Sequence, residues 1–312
     1  MLCKKNGGLI AVMIAILVSL SSAHQSHGDT FQPINKDADQ PANKSSLSVE
    51  TKGAGQALIF IPGLNSGKET FRTTCDYFHK NYQCHLVQLP GFAGQPATSG
   101  LQQGFLIAMR DEVLAYITTH KLHKVILVGH SLGGTLGLMI ALKAPDVIDK
   151  IIIVEALPFY PAIQNPALTA ELMRPQAEQM RVMMNNQSAA DYEKNAAANM
   201  QGMSNAAARL PLLIEWSKTS DRATTTQAMV DLMTTDLRSE ITAIKQPTLV
   251  LGAWAAYKPY GSTKESTGAI YKLQYEKLKK VDIRLSDTGY HFLTWDDGDW
   301  VNQQISAFLR TK

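Results

Sequence analysis

The strongest constraint on the fold is a series of short apolar runs. They fall at Ala57–Ile61, His85–Leu89, Val125–Val128, Ile151–Val154 and Thr248–Leu251, and Val281–Leu285 is a further candidate strand. The runs at 58–61, 125–128 and 151–154 are apolar at every position, so both faces of those strands must be covered. Between the runs lie stretches with helical spacing, at residues 68–80, 102–120, 132–143, 268–280 and 300–309. In the second of these, Leu106, Met109, Val113, Tyr116 and Ile117 fall on one helical face. Strands alternating with helices predict an α/β fold, a mostly parallel, doubly wound sheet with helices on both sides.

Two regions depart from this alternation. Lys4 and Lys5 precede an apolar run from Leu9 to Leu20, and Ser21-Ser22-Ala23 follows with small residues. Residues 1–23 therefore read as a secretory signal peptide. A run of twelve apolar residues falls short of the roughly 20 that span a bilayer. Export predicts a periplasmic or secreted protein with no stable membrane anchor after cleavage. Residues 24–46 are polar and aperiodic, a flexible leader. The α/β core is expected over residues 47–155 and 241–312, interrupted at 156–240 by about four short helices rich in Ala, Met and Gln. Met173, Met180, Met183, Met184, Met200 and Met203 either line an adaptable apolar cavity there or pack the insert against the sheet.

Charge and cysteine usage exclude several classes. Thirty Lys and Arg against 27 Asp and Glu give +3, and removal of Lys4 and Lys5 with the signal leaves +1. Such a balance lacks the concentrated basic face of a nucleic-acid binder. Three scattered cysteines do not make a zinc site or a disulfide framework, so no metal is expected. Cys3 leaves with the signal, and in an oxidising compartment Cys75 and Cys84 are expected to pair, with two buried free thiols as the alternative.

The chemistry centres on Gly129-His130-Ser131-Leu132-Gly133-Gly134, which follows one strand and opens a helix. This is the setting of a nucleophile elbow, a turn sharp enough to lift a serine side chain above the sheet edge. Upstream, Pro62-Gly63-Leu64 leaves the first central strand. The main-chain N–H groups of Leu64 and Leu132 are the candidate pair of donors for an oxyanion. The side chain of His130 is expected to point away from that of Ser131.

Together with the late histidine and the order of elements, these motifs resemble the α/β-hydrolase superfamily across roughly residues 47–312. The segments Leu89-Pro90-Gly91-Phe92-Ala93-Gly94-Gln95-Pro96 and Gly252-Ala253-Trp254-Ala255-Ala256-Tyr257-Lys258-Pro259-Tyr260-Gly261 are similar to an exported bacterial branch of it. The resemblance implies a Ser-His-acid triad, no cofactor, and the 156–240 insert as a helical cap over the pocket. It implies His291 as the base, because that histidine follows the last strand and precedes the last helix. The loop that usually carries the acid, Ala253-Trp254-Ala255-Ala256-Tyr257-Lys258, holds no carboxylate. Glu155, directly after the fourth strand, is the expected acid, although it could instead cap a turn or pair with Arg174; Asp287, Asp296 and Asp297 are the rivals. The expected reaction is hydrolysis of a small-molecule carboxylic ester through an acyl-enzyme on Ser131. Lactonase, amidase, perhydrolase or C–C hydrolase chemistry could use the same triad, and a noncatalytic exported binding protein could keep the same fold.

Overall fold

The computed structural model describes residues 46–99 and 101–311. The expected signal peptide and all but the last residue of the expected leader lie outside the described residues. Seven strands form one sheet: β1 (Ser48–Lys52), β2 (Gln56–Ile61), β3 (Tyr82–Gln88), β4 (Val125–His130), β5 (Ile148–Val154), β6 (Thr248–Ala253) and β7 (Val281–Ser286). Their order is β1-β3-β2-β4-β5-β6-β7. All neighbouring pairs are parallel except β1 with β3. The apolar runs at 57–61, 85–89, 125–128, 151–154 and 248–251 mark β2 to β6, and the candidate strand at 281–285 marks β7.

Helices α1 (Arg72–Phe78), α2 (Phe105–Thr119), α3 (Leu132–Lys143), α8 (Lys264–Gln274), α9 (Leu293–Asp296) and α10 (Gly298–Leu309) flank the sheet, and α4 (Ala170–Asn186), α5 (Ala189–Met200), α6 (Leu210–Thr219) and α7 (Arg222–Thr234) lie between β5 and β6 in the chain. One core packs α2 and α3 on one face, through residues such as Met109, Val113, Leu136 and Ile140. A second core packs α1 and α10 on the other face, through Cys75, Phe78, Val301 and Ile305. Alternate residues of each strand serve the two cores: Ile59 and Ile61 one, Leu58 and Phe60 the other.

Three expectations need correction. The stretch at 68–80 is a 3-10 turn, Lys68–Phe71, followed by the shorter α1. The expected helix at 268–280 begins earlier, because the Thr263 hydroxyl and Ser266 form a reciprocal capping box at its N-terminus, and it ends at Gln274. The expected Cys75–Cys84 bond is absent, and both are buried free thiols. Cys84 donates its S–H to the Cys75 carbonyl at 3.5 Å, and both residues sit wholly inside the core between α1 and β3.

Side-chain caps set the starts of three inserted helices. Thr169, Ser188 and Asp221 accept from Leu172, Asp191 and Thr224 N–H. The methionines divide their roles. Met173, Met180, Met184, Met229 and Met233 form a buried cluster with Phe159, while Met183, Met184, Met200, Met203 and Met229 face a cavity.

Candidate active site

Parallel strands bring their C-terminal ends to one edge, and the candidate residues lie there. Ile61 pairs with Gly129, His130 with Val154, and Val154 with Leu251. The chain therefore leaves β2, β4 and β5 side by side at Pro62, Ser131 and Glu155, next to β6, which runs on to Ala253. Ser131 has φ 53° and ψ −121°, a strained conformation for a residue with a side chain. Two glycines make the turn possible. A Cβ on Gly129 would lie 2.2 Å from the Gly133 oxygen, and one on Gly133 would lie 2.1 Å from the Ile61 oxygen. The Ser131 N–H donates to the Val154 carbonyl at 2.9 Å, which ties the turn to β5. Its Oγ makes no hydrogen bond among the described residues.

Glu155, also at positive φ (52°), is only 2% exposed. A buried carboxylate is costly unless hydrogen-bonded, and this one is well supplied. Its Oε1 accepts the Ala253 N–H, and the Tyr271 hydroxyl at 2.8 Å. Its Oε2 faces Nδ1 of His291 at 3.3 Å. Burial, and then the charge of Glu155, holds the Tyr257, Tyr271 and Tyr275 hydroxyls above the usual phenol range, so these rings stay neutral around the carboxylate. Arg174 makes no ion pair with Glu155 among the described residues. The other three acids are engaged elsewhere. Asp287 is exposed and pairs with Lys264 and the Trp254 indole N–H. Asp296 accepts from the Tyr290 N–H, the Ser204 hydroxyl and the Ala206 N–H. Asp297 accepts from the Ser286 hydroxyl.

Ser131, His291, Glu155, Leu64 and Leu132 border one cavity of about 550 Å³. Leu132 opens α3, where the first N–H groups have no partner within the helix and the dipole favours negative charge. The loop at Pro62–Leu64 runs close by: a Cβ added to Gly63 would lie 3.0 Å from that of Ser131. Asn65 in this loop accepts the Thr225 hydroxyl of α7 at 2.6 Å, tying the loop to the insert. Apolar residues of the insert line the far side of the cavity, among them Met183, Met200, Leu213 and Leu232. Among the described residues, no Lys or Arg borders it.

Sequence reasoning missed three contributors. Tyr271 and the Ala253 N–H support Glu155 from elements 98 or more residues away in the chain, and no local motif announces such a contact. His130, for which the sequence suggests only a side chain turned away from Ser131, reaches the main-chain carbonyl of His291 with its Nε2 at 2.9 Å.

A family model described as alpha/beta hydrolase fold matches residues 56–303. A pimeloyl-[acyl-carrier protein] methyl ester esterase of Aeromonas salmonicida is 30% identical over 117 residues, 38% of this chain. The match covers 44% of that relative's own length. A protein of the same name from a Shewanella species is 27% identical over 219 residues, 68% of this chain and 78% of the relative. Among solved structures, a hydrolase from Pseudomonas aeruginosa aligns with a TM-score of 0.69 at 15% identity, over 85% of this chain and 94% of its own. An enol-lactonase from Burkholderia xenovorans aligns with a TM-score of 0.68 at 16% identity, over 85% and 96%.

Proposed function

The chain belongs to the alpha/beta hydrolase fold family, and on that premise we propose that it is a serine esterase acting on an uncharged carboxylic ester of modest size. The observation that carries the reading is the buried Glu155 carboxylate facing His291 Nδ1 at 3.3 Å, in the cavity that Ser131 borders. Glu155 holds the imidazole with its Nδ1–H turned toward the carboxylate, which leaves Nε2 bare to take a proton. Ser131 Oγ then attacks the ester carbonyl as His291 removes its proton, through a hydrogen bond that forms when substrate is bound. The Leu64 and Leu132 N–H groups hold the oxyanion. His291 returns the proton to the leaving alcohol, and water, activated by the same imidazole, releases the acid from Ser131.

The helices α4–α7 serve as a cap that carries the specificity surface. Methionine side chains adapt to varied acyl shapes. A carboxylate on the acyl chain would lose its hydration in this cavity without a cation to meet it, near the Glu155 charge. The methyl esters in the relatives' name are uncharged at the bond that breaks, and fall within the reading. The protein works after export, in the periplasm or outside the cell, with residues 1–23 removed.

A panel of p-nitrophenyl esters in matched pairs, neutral against ω-carboxylate at the same chain length, tests the proposal. We expect neutral esters to be favoured in kcat/KM by at least about tenfold, since burying an unpaired charge costs more than the 1.4 kcal/mol of a tenfold change. Equal rates for the two members of each pair would refute the substrate class. Undiminished hydrolysis by Ser131→Ala would refute the mechanism.

A further inference from the structure

We infer that His130, the residue before the nucleophile, is a positioning residue that holds the main chain of His291 in register with Ser131. The inference rests on His291 being the base, as proposed above. His130 ends β4 and is 1% exposed. Its Nε2 lies 2.9 Å from the carbonyl oxygen of His291. Its ring lies 4.7 Å from the His291 ring and 4.9 Å from that of Phe292. A carbonyl only accepts, so Nε2 must carry the hydrogen and donate.

The rest of the ring explains why that hydrogen matters. Nδ1 of His130 is buried with no partner among the described residues. Burial, and then the neighbouring His291, push its pKa well below the ordinary histidine value, so the ring stays neutral and Nδ1 remains a bare, unsatisfied acceptor. A phenylalanine of nearly the same shape would keep the ring contacts and remove that unsatisfied atom. For packing alone histidine is the poorer residue. What it adds is the N–H.

The His291 loop has other anchors, but they lead elsewhere. The Phe292 N–H donates to Met203 at 3.1 Å, and the Tyr290 N–H to Asp296 at 2.9 Å. Among the hydrogen bonds of the described residues, that from His130 is the one joining this loop to β4. It sets the base relative to the nucleophile through one residue. Displacements of about 1 Å between reacting groups can cost on the order of a hundredfold in rate, so a short tether of this kind has a large lever.

The test compares His130→Phe, which keeps an aromatic ring at slightly larger volume but loses the donor, with His130→Gln, whose side-chain amide can place an N–H near the position of Nε2. Melting temperature, kcat and KM on a neutral p-nitrophenyl ester, and the rate of inactivation by a fluorophosphonate are measured on both and on the wild type. We expect His130→Phe to melt at or above the wild type while kcat and the inactivation rate fall about 10- to 100-fold, with KM little changed. His130→Gln should recover much of that loss despite melting lower. An active wild type matched by His130→Phe would overturn the inference alone, as would losses that follow melting temperature across both variants. A wild type that neither hydrolyses esters nor reacts with the fluorophosphonate would overturn the functional reading, and the inference with it.

Discussion

Replacing Glu155 with glutamine changes one oxygen for an NH₂ group, and the structure dictates which way the amide must turn. The Ala253 N–H can only donate, so the oxygen that receives it must remain an oxygen. The amide NH₂ of Glu155→Gln is therefore directed at Nδ1 of His291, where the carboxylate oxygen stood at 3.3 Å. The reverse orientation would set NH₂ against the Ala253 N–H, losing a hydrogen bond worth about 1 kcal/mol and adding the cost of a buried unpaired donor. An NH₂ donating to Nδ1 requires that nitrogen to be bare, which moves the imidazole hydrogen to Nε2, the atom that must accept the serine proton. The negative charge beside the imidazolium is lost at the same time. The expected loss is about two to four powers of ten in kcat, or about 3–5 kcal/mol of transition-state stabilisation. The fold should survive, because the amide oxygen keeps the contacts of Oε1. Steady-state kinetics on a neutral p-nitrophenyl ester measure the first effect, and thermal melting the second. A Glu155→Gln protein that melts normally and keeps more than about a tenth of wild-type kcat would refute the assignment of Glu155 as the acid.

The rival acids should behave differently: Asp287→Asn, Asp296→Asn and Asp297→Asn each keep most activity in the same assay. Ser131→Ala and His291→Ala should each remove nearly all turnover, and the double variant should cost little more than either, because the two groups act as a unit; additive losses would contradict this. Denatured, unreduced protein spanning residues 46–311 should titrate with two free thiols, from Cys75 and Cys84, whereas none would restore the disulfide. Burial lowers the pKa of His85 to about 4 and that of His130 well below the ordinary value. The unfolded chain therefore binds more protons on these groups in acid, and the stability they permit is present above about pH 6.5 and declines as pH falls toward about 4. Melting temperature recorded across that window should fall, and His130→Phe should reduce the slope.

Much of this architecture is legible in the sequence because its signals are local. Val125–Val128 and Ile151–Val154 announce buried strands without any partner in view, and Ser131 between its glycines announces a turn. β1 escapes notice for the opposite reason: Ser48–Lys52 is a partly exposed edge strand whose sequence, SVETK, carries no apolar run, and pairing with β3 defines it. The site divides along the same line. Ser131 is set by its own neighbours. Glu155 is reached by eliminating a loop without carboxylates, and its chemistry depends on Tyr271 and Ala253, which only the folded sheet edge brings near. The cysteines show how compartment chemistry can mislead, since export suggests a bond where the fold encloses two thiols in a packed core.

The proposed chemistry stands on Ser131 being a nucleophile activated by His291. Intact-mass analysis after treatment with a fluorophosphonate, followed by peptide mapping, measures that activation. One adduct per chain is expected, located on Ser131, formed rapidly by the wild type and slowed by orders of magnitude in His291→Ala. Labelling of Ser131 at the same rate with or without the imidazole, or an adduct on a different residue, would contradict it.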